Sequence, residues 1–171
     1  MNLAFMRALV AHDLAVASAE LGVDVSEEMT EDLVNFARYR LAQMEADPSI
    51  QPWLARAMVR TEPDGSRIAI GTLGFHGPPD ERNVVEVGYR VEPPYRRQGY
   101  TSEAVRALFD WAYREHGIRR FRASISPTNA ASLNLAAGFG FRQVGEQMDE
   151  IDGLELVFET DWPQPGADQI R

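Results

Sequence analysis

Residues Val84–Ala104, VVEVGYRVEPPYRRQGYTSEA, predict a strand, a tight polar loop and the start of a helix, in that order. Along this segment Glu86, Gly88 and Arg90 alternate with Val85, Val87, Tyr89 and Val91, which is the period of a strand with two different faces. Pro93 and Pro94 end this strand, because proline lacks a backbone donor and restricts the residue before it. The loop Arg96–Gly99 then leads into a helix, and the first N–H groups of a helix are unpaired and carry partial positive charge. The stretch therefore predicts a site for a phosphate-bearing ligand.

Composition narrows the class of ligand. The chain has 171 residues, 44% hydrophobic and 25% charged, which is typical of an ordinary soluble globular protein. Its net charge of −9 argues against general nucleic-acid binding, which needs a basic surface to displace counterions. Residues 86–126 nevertheless carry eight arginines against five acids, whereas the segments on either side are acidic. A basic segment in an acidic chain suits a polyanionic cofactor.

Missing residue types exclude several kinds of chemistry. The sequence contains no lysine and no cysteine, which excludes a lysine Schiff base, a cysteine nucleophile, a thiolate metal site and disulfides. With only three histidines, a protein metal site has little support. No secretory signal is recognisable and no apolar run approaches the length of a membrane span. We therefore expect a cytoplasmic protein without a membrane partner.

Hydrophobic periodicity and turn residues predict eleven elements in the order β-α-α-β-β-β-α-β-α-β-β. We expect strands over residues 3–10, 53–60, 67–76, 84–91, 121–126, 141–149 and 154–159, and helices over residues 12–21, 26–46, 101–116 and 130–137. This order indicates a single mixed α/β sheet with helices on both faces and a strand-helix-strand crossover at its centre. We expect one domain over residues 1–161 and a mobile C-terminal tail over residues 162–171.

The loop resembles that of the GNAT superfamily of acetyl-CoA-dependent N-acetyltransferases. The family motif has Arg or Gln, two residues, Gly, one residue, then Gly or Ala; here Arg96 and Gly99 match, and Thr101 departs. A second match is the segment Asn129-Ala130-Ala131-Ser132, followed by Gly140-Phe141. The resemblance covers about residues 84–160 and implies a mostly antiparallel sheet of about seven strands with a splayed central strand pair. The end of the chain is similar to the branch that includes ribosomal-protein N-terminal acetyltransferases.

The resemblance implies acetyl-CoA or coenzyme A as the co-substrate. In the family, backbone N–H groups of the loop hold the pyrophosphate, the strand end binds the pantetheine arm, and the downstream Asn-x-x-Ser segment contacts the arm near the thiol. A bulge in the central strand, for which Gly88 is the candidate, would open the slot for the cofactor. Carried onto this sequence, the cofactor-binding residues are Tyr89, Val91, Arg96, Arg97, Gln98, Gly99, Tyr100, Thr101, Ser102, Asn129 and Ser132. Asn129 has the alternative role of a helix cap.

Glu86 is the candidate general base, because it is a lone acid on the predicted central strand. The chemistry calls for a base, since an amine with a pKa of about 10 is mostly protonated at neutral pH and only the free amine attacks a thioester. The alternatives are a carboxylate that is exposed or paired with Arg90, and a water chain acting as the base. Many family members carry a tyrosine that protonates the thiolate where this sequence has Ala136.

We therefore expect an N-acetyltransferase whose acceptor is a primary amine of a small molecule or a peptide or protein N-terminus, attacked directly in a ternary complex. One alternative is an acyl-CoA-binding sensor or scaffold domain of the same fold with little or no activity. Another is a nucleotide-binding domain, although G-x-x-x-x-G-K-[ST] is absent. Exposed edge strands near Leu154–Glu159 are compatible with a homodimer.

Overall fold

A computed structural model describes residues 1–150 and 153–164 of the chain. It contains five helices, six strands and two short 3₁₀ turns. In chain order these are α1 (Leu3–Val10), α2 (Leu14–Leu21), α3 (Glu27–Ala46), a 3₁₀ turn (Pro48–Trp53), β1 (Arg56–Thr61), β2 (Arg67–Phe75), β3 (Val84–Val91), a 3₁₀ turn (Pro93–Tyr95), α4 (Tyr100–His116), β4 (Arg120–Ile125), α5 (Ala130–Gly138), β5 (Arg142–Asp149) and β6 (Gly153–Asp161). None of the described helices is long and apolar enough to cross a membrane.

The strands form one mixed, mostly antiparallel sheet in the order β1-β2-β3-β4-β6-β5. Its parallel pair is β3 with β4, and the ladder joins Val84–Glu86 to Arg120–Arg122. The prediction of a mixed, mostly antiparallel sheet is confirmed, with six strands among the described residues instead of about seven. The predicted bulge at Gly88 stays a prediction.

The predicted first strand is wrong, because residues 3–10 form α1. The Asn2 side chain caps this helix by accepting a hydrogen bond from the Phe5 N–H at 2.8 Å. Phe5, Met6 and Leu9 are fully buried and lie on one helical stripe. An apolar run of this length satisfies both a buried strand and a short helix, so periodicity alone could not separate them.

The helices α2 and α3 begin and end at residues that sequence rules favour. Asp13 caps α2, and Gly22 ends it with a φ of 65°, a left-handed conformation that glycine adopts easily. Ser26 caps α3 through a 3.0 Å hydrogen bond from the Met29 N–H. Asp47 ends α3 directly before Pro48. The predicted helix over residues 26–46 is thus confirmed, with Ser26 as its cap.

The chain packs as two compact units. The first comprises Met1–Pro78 and Tyr89–Thr101, and the second comprises Pro79–Gly88 and Ser102–Arg171. In the first unit α1 packs against α3, and the core includes Met29 and Met44, both fully buried. The boundary between Gly88 and Tyr89 falls inside β3, so this strand contributes residues to both units.

An aromatic cluster forms the core of the second unit. The Phe109 and Phe121 rings stack with centroids 3.9 Å apart, and Phe139 and Trp162 pack edge-on to Phe109. Trp162 is 5% exposed, and its indole N–H donates to Asp110 at 2.8 Å. The prediction that Trp162 belongs to a mobile tail is therefore wrong. Its ring packs in this core and its N–H donates a hydrogen bond to a carboxylate. The rest of the predicted tail, from residue 165, lies outside the described residues.

The edge strand of this half of the sheet is β5, and not the segment near Leu154–Glu159. That segment belongs to β6, which pairs with β4 on one side and β5 on the other. The sequence could not distinguish the two strands of this hairpin, since the choice depends on which of them pairs with β4. Val144 and Met148 of β5 are 58% and 74% exposed.

Strand β2 approaches its neighbour so closely at Gly71 that a side chain has no room. A Cβ at this position would overlap the backbone oxygen of Arg90 and lie 3.0 Å from the Cα of Val91. We expect Gly71→Ala to lower the free energy of unfolding by about 1–3 kcal/mol, because the obstructing atoms belong to the backbone. Urea unfolding measures the change. The matched control is Gly145→Ala in β5, where a Cβ meets nothing within 4 Å; equal losses in the two variants would contradict the close approach.

Glu92 is a buried carboxylic acid directly after β3. The residue is 6% exposed, and burial raises the pKa of its carboxyl above the ordinary 4.5, with Arg90 and Arg96 opposing the shift and Asp32 and Glu28 adding to it. A raised acid pKa in the folded state means that stability is greatest below pH 4.5 and falls as the pH rises through the folded-state value.

We therefore expect Glu92→Gln to raise the melting temperature at pH 8 and to have little effect near pH 4.5, because the amide removes a buried charge that exists only at the higher pH. Thermal unfolding across this range measures the difference. Glu81→Gln, at an exposed position, serves as the control. A stabilisation of Glu92→Gln that does not grow with pH would refute the assignment of a raised pKa.

Candidate active site

The loop between β3 and α4 has the backbone geometry of an anion site. Arg97 has a φ of 60° and Gly99 a φ of 88°, so two residues of this short loop are left-handed. A left-handed arginine is uncommon and indicates that the surroundings impose the conformation. None of the described residues accepts a hydrogen bond from the backbone N–H of Arg97, Gln98 or Gly99. These N–H groups can therefore donate to a ligand.

Two side chains of the loop brace its backbone. The Arg96 Nε donates to the Val91 carbonyl oxygen at 2.9 Å, and the Gln98 Nε2 donates to the Pro94 carbonyl oxygen at 2.8 Å. Both bonds tie the loop to the segment that immediately precedes it. We infer that Arg96 and Gln98 contribute mainly by holding the loop in shape, which leaves the backbone N–H groups for the ligand.

The helix α4 begins at Tyr100, so Tyr100, Thr101 and Ser102 form its first turn. The N–H groups of a first turn have no partner within the helix and carry the positive end of its dipole. The helix is 17 residues long, with Glu103 its one acid in the first turn. The helix thus starts one residue before the predicted residue 101, and the donors of its first turn follow those of the loop along the chain.

The strand end before the loop belongs to the first unit, as do Arg96 to Thr101. Tyr89 is partly buried and Val91 is 8% exposed. The Val91 carbonyl already accepts the bond from Arg96, and the N–H of the next residue, Glu92, donates to the Ile70 carbonyl at 2.9 Å. The assignment of Tyr89 and Val91 to the pantetheine arm stays a prediction.

Asn129 occupies the helix-capping position that the sequence left open as its alternative role. Its Oδ1 accepts a hydrogen bond from the Ser132 N–H at 3.1 Å, so the two predicted residues contact each other at the start of α5. Asn129 is exposed, and its Nδ2 forms no hydrogen bond with the described part of the chain. The cap uses only the amide oxygen, and the amide nitrogen remains able to donate to a ligand.

Glu86 lies in the second unit, opposite Arg122 in the parallel ladder. Arg122 hydrogen-bonds to Glu159 at 2.8 Å, and the pKa of its guanidinium is raised by Glu159 first and further by Glu86 and Asp80. Arg90, which we had considered as the partner of Glu86, forms an ion pair with Asp32 on α3. The sequence pattern did not reveal Arg122, because its proximity depends on the pairing of strands 36 residues apart.

Ala136, where many relatives of the resembled family have a tyrosine, is 4% exposed on α5. No hydroxyl or other acid is present at this position. The described residues also contain no cluster of three or more histidine, aspartate or glutamate side chains that could hold a metal ion. The candidate chemistry is therefore that of backbone donors, Asn129 and Glu86.

Part of the chain is similar to curated N-acetyltransferases. The chain is 33% identical over 72 residues to the uncharacterized N-acetyltransferase YjdG of Bacillus subtilis, a match that covers 42% of this chain and 43% of YjdG. It thus spans less than half the length of this curated relative and of a second one.

Solved structures show the same fold at low sequence identity. A GNAT-family acetyltransferase from Bacillus anthracis aligns with a TM-score of 0.58 and 20% identity, over 94% of this chain and 91% of that one. The ribosomal-protein-S5-alanine acetyltransferase from Vibrio fischeri aligns with a TM-score of 0.58 and 14% identity, over 96% and 93% of the two chains.

The family model described as the acetyltransferase (GNAT) domain matches residues 5–142, which are most of the chain and include β3, the loop and α5. On this evidence the chain belongs to the GNAT acetyltransferase family.

Proposed function

We propose that this protein is an acetyl-CoA-dependent N-acetyltransferase that acts on a primary amine of a small molecule or a peptide or protein N-terminus, in the cytoplasm. The observation that carries the proposal is that the N–H groups of Arg97, Gln98 and Gly99, in the loop before α4, have no acceptor among the described residues. These donors, in a chain of the GNAT family, suit a pyrophosphate. When bound, acetyl-CoA supplies an activated thioester.

The residues of this chain would contribute mainly by positioning. The loop and the start of α4, Arg96 to Thr101, would hold the diphosphate. The family resemblance further implies that Ser102 contributes to this contact and that Asn129 contacts the pantetheine arm, for which its Nδ2 can donate. Holding an amine and a thioester in reacting geometry can supply most of the rate enhancement of a bimolecular transfer. The amine nitrogen would form a bond to the acetyl carbon as the bond to sulfur breaks. Without cysteine in the chain, direct attack is favoured over a cysteine acyl-enzyme.

Glu86 would take the proton that the ammonium group must lose. The neighbouring Arg122 would hold the carboxylate in place through their electrostatic interaction. The absence of a tyrosine at Ala136 favours protonation of the thiolate by water or by another group. The same absence supports a second candidate function, an acyl-CoA-binding domain with weak activity or none.

The cofactor site can be tested at Thr101, in the first turn of α4. We expect acetyl-CoA at about 100 times its dissociation constant to stabilise the wild type by roughly 2.7 kcal/mol. Thr101→Ala should keep or improve this stabilisation, because a smaller side chain lets the backbone approach the phosphates. Thr101→Glu should abolish it by placing negative charge against the diphosphate. Thermal unfolding with and without the ligand measures both effects.

The control is Ala107→Glu, an exposed position further along α4, which should bind acetyl-CoA like the wild type. Retained affinity in Thr101→Glu would contradict the site. Stabilisation by ATP or NAD without stabilisation by acetyl-CoA would instead support a nucleotide-binding domain.

Glu86→Gln tests the general base. If Glu86 accepts the proton, its replacement should lower kcat by about 10²–10⁴-fold, with the loss largest at low pH, where fewer amine molecules are free. Release of free thiol across a panel of amines and peptide N-termini measures the rate. Peptide N-termini are included because the Vibrio fischeri structure is that of an enzyme named for a ribosomal-protein alanine.

Glu146→Gln, an exposed change on β5, is the control. A variant Glu86→Gln with normal kcat but a lower melting temperature would assign Glu86 to the ion-pair network around Arg122 alone. Binding of acetyl-CoA without thiol release from any amine would support the sensor function.

A further inference from the structure

Arg40 is a buried arginine on α3, with 7% of its surface exposed. Its Nη1 donates to the Gln43 Oε1 and to the backbone oxygen of His76, both at 2.9 Å. Its Nε is buried and has no hydrogen-bond partner among the described residues. Nη2 likewise donates no hydrogen bond within the described part of the chain. One terminal nitrogen therefore anchors the guanidinium, and the side formed by Nε and Nη2 is left unbonded.

The positive charge of Arg40 has no carboxylate to balance it. No aspartate or glutamate within residues 1–150 and 153–164 forms an ion pair with it. Its other neighbours are the faces of Phe36 and Tyr39, whose ring centroids lie 5.2 and 5.5 Å from Cζ. Burial lowers the pKa of the guanidinium, although arginine stays protonated at neutral pH. Buried charges in proteins are normally paired, so an unpaired one points to a partner that binds from solution.

The unbonded side of Arg40 has the shape of a carboxylate receptor. Nε and Nη2 present two parallel N–H donors, which is the arrangement that takes both oxygens of a carboxylate. Tyr39, whose ring faces the guanidinium, is itself 61% exposed, and its hydroxyl accepts a hydrogen bond from Gln43. Aromatic faces beside the cation also suit the carbon skeleton of a small organic molecule.

The position of Arg40 along α3 links it to the proposed reaction. Asp32, eight residues earlier on the same helix, pairs with Arg90, which lies between Tyr89 and Val91 at the end of β3. Eight helical residues span about 12 Å. Arg40 thus lies on the helix that contacts the strand end assigned to the pantetheine arm, and all of these residues belong to the first unit.

We propose that the Nε and Nη2 side of Arg40 binds a carboxylate of the amine acceptor, so that this enzyme selects amines that also carry a carboxylate, such as amino acids. The inference rests on the proposed function, because it names the acceptor class of that transfer. Arg40 is then a specificity-determining residue that contacts the acceptor away from its reacting nitrogen.

The test compares matched amines that differ only in the carboxylate. Free amino acids and their carboxamides, for example phenylalanine and phenylalaninamide, are offered to the wild type with acetyl-CoA, over a panel of aliphatic, aromatic and acidic side chains. We expect kcat/KM to be at least about 10-fold higher for the free acid, as a charge-assisted pair implies. The amine of the carboxamide is more weakly basic, so a larger fraction of it is unprotonated at neutral pH. This difference by itself favours the carboxamide, so a preference for the free acid would run against it.

The variant Arg40→Gln should remove this preference, bringing acid and amide within about 2-fold, while Arg40→Lys should retain part of it. The control is Arg38→Gln, an exposed arginine on the same helix that donates a hydrogen bond to the Asn35 Oδ1 at 3.3 Å. Arg38→Gln should keep the full preference for the acid. Because replacing an unpaired buried charge is often neutral or stabilising, we expect Arg40→Gln to remain folded, as circular dichroism can verify.

A second measurement does not require turnover. Thermal unfolding of the wild type with each free amino acid, without acetyl-CoA, should show stabilisation that the carboxamides do not give and that Arg40→Gln loses. Inorganic phosphate is included as a separate probe, and stabilisation by phosphate alone would overturn the assignment to a carboxylate.

The outcomes separate this inference from the proposed function. Transfer to amines with equal kcat/KM for acids and amides would leave the acetyltransferase standing and overturn the role of Arg40. Absence of both acetyl-CoA binding and transfer would overturn the function, whereas carboxylate stabilisation that depends on Arg40 would still support the receptor. A large loss of stability in Arg40→Gln, with no stabilisation of the wild type by any carboxylate, would assign Arg40 to holding the His76 carbonyl.

Discussion

The exit of the chain from β3 is the constraint on which the rest of the site depends. At Glu92 the backbone N–H still bonds to Ile70, but by Arg97 the chain has turned left-handed and the next N–H groups have no partner in the described structure. Unpaired backbone donors are tolerated only where water or a ligand can reach them. The loop is exposed, so this condition is met, and α4 adds its positive end to the same place. The site is therefore built from backbone, and side chains such as Arg96 act by fixing its shape.

The arginines of this lysine-free chain have separate roles that composition could not assign. Arg90 pairs with Asp32, and Arg122 pairs with Glu159, so both have a carboxylate to balance their charge. Arg96 donates to a carbonyl within its own loop. Arg40 differs because it is buried against neutral groups and aromatic faces. Part of the excess positive charge of residues 86–126 is thus balanced by ion pairs within the protein. Among the described residues, the one buried cation without a carboxylate partner is Arg40, which lies outside that segment.

The sequence was most reliable where short-range chemistry controls the backbone. The bounds of β3 were predicted to the residue, the stop at Gly22 was correct and the start of α4 was predicted to within one residue, because proline, glycine and capping residues act over a few positions. It failed at residues 3–10, where an apolar segment fits a strand or a helix equally well and packing against α3 selects the helix. It also misjudged Trp162, whose burial depends on Phe109, more than 50 residues away.

By itself, then, the sequence determined the strand, loop and helix around Gly99 and the GNAT resemblance, and it led to the expectation of an anion site at that junction, since each follows from local residue chemistry and spacing. Only the tertiary structure decided which charges are paired. It brought Arg122 beside Glu86, joined Asp32 to Arg90, and buried Arg40 next to the carbonyl of His76 with no counter-ion among the described residues. These relations depend on strand register and helix packing between distant segments. No local pattern encodes them, because a side chain gains or lacks a partner only when the fold brings that partner within hydrogen-bonding distance.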